Sequence, residues 1–262
     1  MSYMTRTILT TCGTSLFQTS CWKYKGLNDK YPSQMEDKAE IEAYERKCEA
    51  WLVRLARGKD EGDLPSSFDR TSWDNLSYLR DLPAELVSLR VIKNYFEKHG
   101  EPLGKGDKII LLHSDNDDGK YCAEMIHKVL TDEEFKLLPE VEIGEWEVKG
   151  LDPTDFEEFG RALGDIWQGS IQRFPRDKDT QYIFNLTGGY KGVTILLGAF
   201  AELKGLDTRI FYLYEEANYE TISVMYFDPN SDIPEFSIFK TGYFNASTGE
   251  EYNTTITDEE FD

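Results

Sequence analysis

A chain of 262 residues that is 40% apolar can bury one substantial core, as one large domain or one domain carrying an insertion, rather than as two independent domains. Its formal charge of −20 would repel a nucleic-acid backbone at long range, which excludes long DNA or RNA and requires any phosphate ligand to be small and locally gripped. Four cysteines with no CxxC pair and three histidines argue against a metal site or a disulfide framework. With no membrane-length apolar stretch, and only a short broken apolar patch in Met1 to Ser20, the expectation is a soluble, cytoplasmic protein without cofactor or membrane partner.

Arg6 to Thr11 reads as a first strand, running into the small-residue turn Cys12-Gly13-Thr14-Ser15-Leu16. From about residue 18 to 100 the chain looks like a mostly helical insertion. Ile41, Tyr44, Cys48, Trp51, Leu52 and Leu55 recur at helical spacing over Asp37 to Arg57. The polar stretch Lys59 to Asp74 reads as an exposed connection, and a second helix opens at Pro83 and closes at His99-Gly100. Lys108 to His113 is a continuous apolar run suited to a central parallel strand. The acidic turn Ser114-Asp115-Asn116-Asp117-Asp118-Gly119 follows, and helix resumes at Lys120. Contiguous acids are not the spacing of a calcium loop, so turn formation or helix capping explains them before a cation does.

Val141 to Val148 reads as a further strand and Phe156 to Trp167 as an amphipathic helix. Gln181 to Phe184 is then a strand, Leu186 to Tyr190 a turn built on Thr187-Gly188-Gly189, and Lys191 to Leu203 a helix that Gly205 ends. Thr208 to Tyr214 makes another strand, Thr221 to Phe227 and Phe236 to Phe239 antiparallel additions, and Asp258 to Asp262 a frayed end. Alternating strands and helices define a Rossmann-like, doubly wound α/β fold with a mainly parallel sheet, right-handed crossovers and one domain over residues 1–262 that ends in a short β extension.

Two of these turns carry chemistry. A helix opening has backbone N–H groups without intrahelical partners and a positive dipole end, so the Gly-Gly turn favours an anion, with Thr187 offering a hydroxyl and Lys191 a movable charge. A cation at that place is disfavoured by the dipole, which an anionic ligand would explain; a structural turn with a solvent-facing lysine is the bland alternative. If the first strand and the Gln181 strand are parallel neighbours, both turns line one sheet edge. Neither matches GxxxxGK[ST] or GxGxxG, against a mononucleotide P-loop or the usual dinucleotide fold.

Together, Thr11-Cys12-Gly13-Thr14-Ser15-Leu16, Pro83 to Leu89, Ser114 to Gly119 and Asn185-Leu186-Thr187-Gly188-Gly189-Tyr190-Lys191 resemble the CARF domains of type III CRISPR systems, most closely a CRISPR-associated APE-type family. The resemblance implies a homodimer that binds cyclic oligoadenylate, cyclic tetra-adenylate first among the ring sizes, across its two-fold axis. It places ligand contacts at Cys12, Gly13, Thr14, Ser15, Leu16, Asn116, Asp117, Gly119, Thr187, Gly188, Gly189 and Lys191. All three histidines lie between His99 and His127, so no Arg-x4-6-His ribonuclease pair follows the domain, and the residues after Asp228 are few and strand-like. Two family readings remain: a ring nuclease using Ser15 and Lys191, or a non-catalytic sensor that regulates an effector partner chain or transcription. In the first, the ribose 2'-hydroxyl attacks its own phosphodiester without metal. A mononucleotide-metabolising α/β enzyme is a more distant third.

Overall fold

In the computed structural model, residues 4–18, 83–131, 140–177, 179–204, 208–213, 221–227, 239–245 and 251–255 are described, with Ala39 and Leu138 besides. Five strands run parallel: β1 (Thr5–Thr11), β2 (Lys108–Ser114), β3 (Glu142–Val148), β4 (Thr180–Asn185) and β5 (Thr208–Leu213). Their spatial order is β3-β2-β1-β4-β5, and β6 (Thr221–Phe227), β7 (Phe239–Asn245) and β8 (Glu251–Thr255) extend the sheet beyond β5 with antiparallel pairing. The described helices are α1 (Ala84–Lys98), α2 (Asp117–Thr131), α3 (Phe156–Arg173) and α4 (Lys191–Lys204).

Sequence dictates these elements locally. Ile109 to Ser114 of β2 and Gln181 to Asn185 of β4 are buried throughout, as strands with a helix layer on each face must be. β3 closes the parallel side of the sheet, and there only Trp146 and Val148 are buried. Asp155 caps α3 by accepting from the N–H groups of Glu157 (3.1 Å) and Glu158 (3.0 Å). Ala162, Ile166 and Ser170 turn inward along α3 at helical spacing.

The two faces of the sheet carry different helices. Leu9, Ile110, Leu112, Phe184 and Ile210 point to a core shared with α3 and α4, where Phe174, Phe184 and Phe200 meet ring to ring. Each such buried aromatic contributes roughly 1.5–3 kcal/mol by leaving water. Alternate residues face the other way, and Phe211 meets Tyr95 and Phe96 of α1. The doubly wound, mainly parallel architecture expected from the alternation is therefore the one observed.

Some boundaries differ. The helix expected to resume at Lys120 already begins at Asp117, because the Asn116 carbonyl accepts from Lys120 N (3.0 Å) and its side chain from Gly119 N (2.8 Å). The strand anticipated over Phe236 to Phe239 is β7, running from Phe239 to Asn245, and residues 236–238 lie outside the described ones. β8 has no counterpart in the sequence reading, since Glu251-Tyr252-Asn253-Thr254-Thr255 lacks an apolar run. The helix over 37–57, the connection 59–74, Gly205 and the acidic end also fall outside, except that Ala39 is helical. Of the insertion expected over 18–100, the described part is α1, which packs against the sheet.

Candidate functional site

The order β3-β2-β1-β4-β5 puts the reversal of winding between β1 and β4, the place where doubly wound sheets take ligands at the carboxyl ends of the strands. Thr10 pairs with Asn185 in the last register of these two strands, so the turn after each emerges side by side. The two turns touch. A Cβ on Gly13 would lie 3.0 Å from Gly189 N, a Cβ on Gly188 would lie 2.6 Å from Glu85 Oε1 and 2.8 Å from the Thr11 carbonyl, and Thr11 Oγ1 donates to the Gly188 carbonyl. Gly189 adopts φ +85°, the left-handed region that glycine enters without penalty. Glycine is thus required here for one turn to lie on the other.

Glu85, absent from the candidates read in the sequence, occupies the centre of the first turn. It is fully buried in the first turn of α1, where the dipole favours an anion. Its Oε1 accepts from Gly13 N (2.9 Å) and its Oε2 from the Ser15 hydroxyl. Ser15 Oγ in turn accepts from Ala84 N at 3.2 Å. The cue in the sequence was Glu85, Ser88 and Arg90 set in the otherwise apolar stretch Ala84 to Ile92, which the structure buries at every position.

A second network braces the Gly-Gly turn. Leu213 N donates to Thr187 Oγ1 (3.1 Å), Thr187 Oγ1 to Asn185 Oδ1 (2.9 Å), Asn185 Nδ2 to Ser88 Oγ (2.7 Å), and Ser88 Oγ to the Glu85 carbonyl (3.1 Å). Asn185 and Ser88 are fully buried and Thr187 partly so, and each link satisfies a polar group withdrawn from solvent. The Thr187 proton goes to Asn185 Oδ1, and its hydroxyl braces the turn.

The remaining candidates divide. Cys12 and Leu16 are buried, and burial, with Glu85 and then Glu145, pushes the Cys12 thiol well up, so each has only backbone to offer at the edge. Asn116 and Gly119 form the start of α2. A Cβ on Gly119 would lie 2.0 Å from Ser114 Oγ, and Asn116 Oδ1 accepts from Gly119 N and from Ser114 Oγ (2.9 Å). The capping explanation of this acidic turn is thereby the observed one, and Asp117 stands exposed in the first turn of α2 as a negative charge.

Thr14, Gly189 and Lys191 remain accessible at the edge. The Tyr190 carbonyl accepts from Val193 N (2.9 Å) and Thr194 N (3.1 Å), while the N–H groups of Tyr190, Lys191 and Gly192 donate to no described residue. Lys191, the first residue of α4, is exposed and has neither hydrogen bond nor ion pair with any described residue. Within 12–18, 115–119 and 186–191 it is the one cation. Tyr190 joins the turn after β4 to that after β2. Its ring meets Phe159 edge-on at 6.0 Å, and its phenol is pushed up, by burial first, against the lowering effect of Asn116 and Ser114.

N–H groups and a lysine without partners among the described residues thus lie together with a helix dipole at the switch point of a doubly wound α/β protein, an arrangement whose charge suits an anion. The family model of the CRISPR-associated protein Cas_APE2256 matches residues 80–223, more than half of the chain, and the chain belongs to that family. A role in CRISPR systems follows. The matched residues include the Gly-Gly turn and Lys191 and leave out the Cys12 to Leu16 turn. No curated protein matches the chain. Among the described residues no group of three or more His, Cys, Asp or Glu is placed to hold a metal, and no helix is long and apolar enough to cross a membrane.

Proposed function

We propose that the chain is a CARF-type ring nuclease. As a homodimer it would bind a cyclic oligoadenylate, cyclic tetra-adenylate in the first place, across its two-fold axis at the carboxyl edge of each sheet. It would then cleave the ring by attack of a ribose 2'-hydroxyl on the adjacent phosphodiester, ending a type III CRISPR signal. The observation that carries this reading is Lys191, an exposed cation at the start of α4 without hydrogen bond or ion pair to any described residue. The helix dipole disfavours a cation there and a bound phosphate would favour it. The substrate brings its own nucleophile, so the protein's task is alignment and stabilisation of charge on the phosphorane.

A second reading has its own support. Gly13 N and the Ser15 hydroxyl, expected to face the phosphate, are both held by Glu85, which leaves fewer donors for a transition state and suits a sensor that binds the ring and acts on an effector partner chain. Incubation with each cyclic oligoadenylate in EDTA, followed by product analysis, separates the two. Linear adenylates ending in 2',3'-cyclic phosphate support cleavage. Intact ring with a ligand-dependent change in association supports the sensor. One mononucleotide per subunit, in place of one ring per dimer, overturns both.

A further inference from the structure

The apolar stripe by which α3 packs on α4 runs on past the start of α4. Phe159 meets Tyr190 edge-on at 6.0 Å, a Cβ on Gly192 would lie 3.3 Å from the Phe159 ring, and Trp167 meets Phe200 at 5.5 Å. Contacting positions rise together along the two helices, so α3 and α4 run parallel. Leu163 continues the stripe, and Phe156 precedes Leu163 by one heptad, close to two helical turns, and so shares its side of α3. The same offset carried back from Phe159 brings Phe156 level with residues 187–189, the Gly-Gly turn, where α4 has not yet begun. Its ring is 88% exposed, the most of any large apolar side chain among the described residues. Because β3 runs parallel to β2 and ends at Val148, α3 opens at the carboxyl edge, and a helical side chain leans toward its own N-terminus. Phe156 therefore overhangs the edge that carries Gly189 and Lys191.

The charges beside it sort what each part of the edge can take. Asp155, Glu157 and Glu158 are exposed carboxylates in the same turn, so a phosphate is repelled from the end of α3 while a neutral, flat group is not. Lys191 offers the opposite preference at the start of α4. A nucleotide carries both kinds of group. We infer that Phe156 is the platform on which a base of the cyclic oligoadenylate stacks while the phosphate lies at Lys191. The inference rests on the cyclic oligoadenylate reading but not on cleavage, so it holds for a ring nuclease and for a sensor alike. The probes are cyclic tetra-adenylate with 2'-fluoro sugars, which lacks the attacking hydroxyl, and the same ring without its bases. Phe156→Ala should weaken binding of the first about 5-fold or more, the lower bound for losing one base–aromatic stack. The base-free ring should bind the variant and the wild type alike. Phe156→Trp keeps a flat ring and should restore the affinity, and neither variant should lower the melting temperature, since the side chain is exposed. If Phe156→Ala binds the adenylate ring as the wild type does, or loses affinity equally for both rings, Phe156 is no base platform and the inference fails. If the wild type binds no adenylate ring, the cyclic oligoadenylate reading falls and this assignment with it.

Discussion

Lys191→Ala should lower the rate of ring cleavage while leaving the fold as stable or slightly more so. The side chain is exposed, opens α4 and has no ion pair or hydrogen bond with a described residue, so its removal breaks no described contact. A cation in a first helical turn opposes the dipole by roughly 0.3–1 kcal/mol, so stability should rise by at most that much. Loss of one preorganised stabiliser of developing charge typically slows a reaction about 10²- to 10³-fold, or roughly 2.7–4 kcal/mol of barrier. The two effects have opposite signs, which separates chemistry from folding. The assay is single-turnover cleavage of cyclic tetra-adenylate in EDTA, with urea denaturation of the same sample and a Kd for the ring, which should weaken somewhat. Cleavage at the wild-type rate would refute the reasoning, as would a requirement for added divalent metal. A large drop in the urea midpoint would show that Lys191 holds the structure, contrary to its exposure.

Gly188→Ala puts a methyl group 2.6 Å from Glu85 Oε1 and 2.8 Å from a backbone carbonyl, so it should destabilise by about 1–3 kcal/mol in urea; an unchanged midpoint would mean the turns are not packed as described. Ser15→Ala removes a hydrogen bond to the buried Glu85 carboxylate and should cost about 1.5–3 kcal/mol of stability, while slowing cleavage less than Lys191→Ala does. Cys12, buried and with its thiol pushed well up, should stay unlabelled by a disulfide reagent at pH 8 in the native protein and react once it is unfolded, as mass mapping would show. Light scattering at micromolar concentration should give a dimer, and a monomer both free and with cyclic tetra-adenylate would remove the two-fold site.

The strands and helices of the parallel half were legible because their cause is local. Lys108 to His113 is apolar without interruption, Phe156 to Trp167 repeats at helical spacing, and Pro83 and the Gly188-Gly189 pair mark where elements begin and turn. From these followed the doubly wound class, the two turns at one edge and Lys191 at a helix start. β8 was not legible, since its residues carry no apolar pattern and its place depends on pairing with β7.

The roles of the polar residues were decided by tertiary structure. A sequence gives Thr187, Ser15 and Asn116 the same capacity to meet a phosphate, because a hydroxyl or an amide is a donor wherever it stands. Only the approach of Glu85 on α1 to the Ser15 hydroxyl, of Leu213 N on β5 to Thr187 Oγ1 and of Gly119 N to Asn116 Oδ1 determines which of those polar atoms is already engaged. Glu85 and Asn185 owe their importance to residues about 70 and 100 positions away in the chain, a separation at which no periodicity carries information. What remains open at the edge, Gly189 and Lys191, is defined by what the fold did not use: the sequence supplied the polar groups, and packing chose which of them face outward.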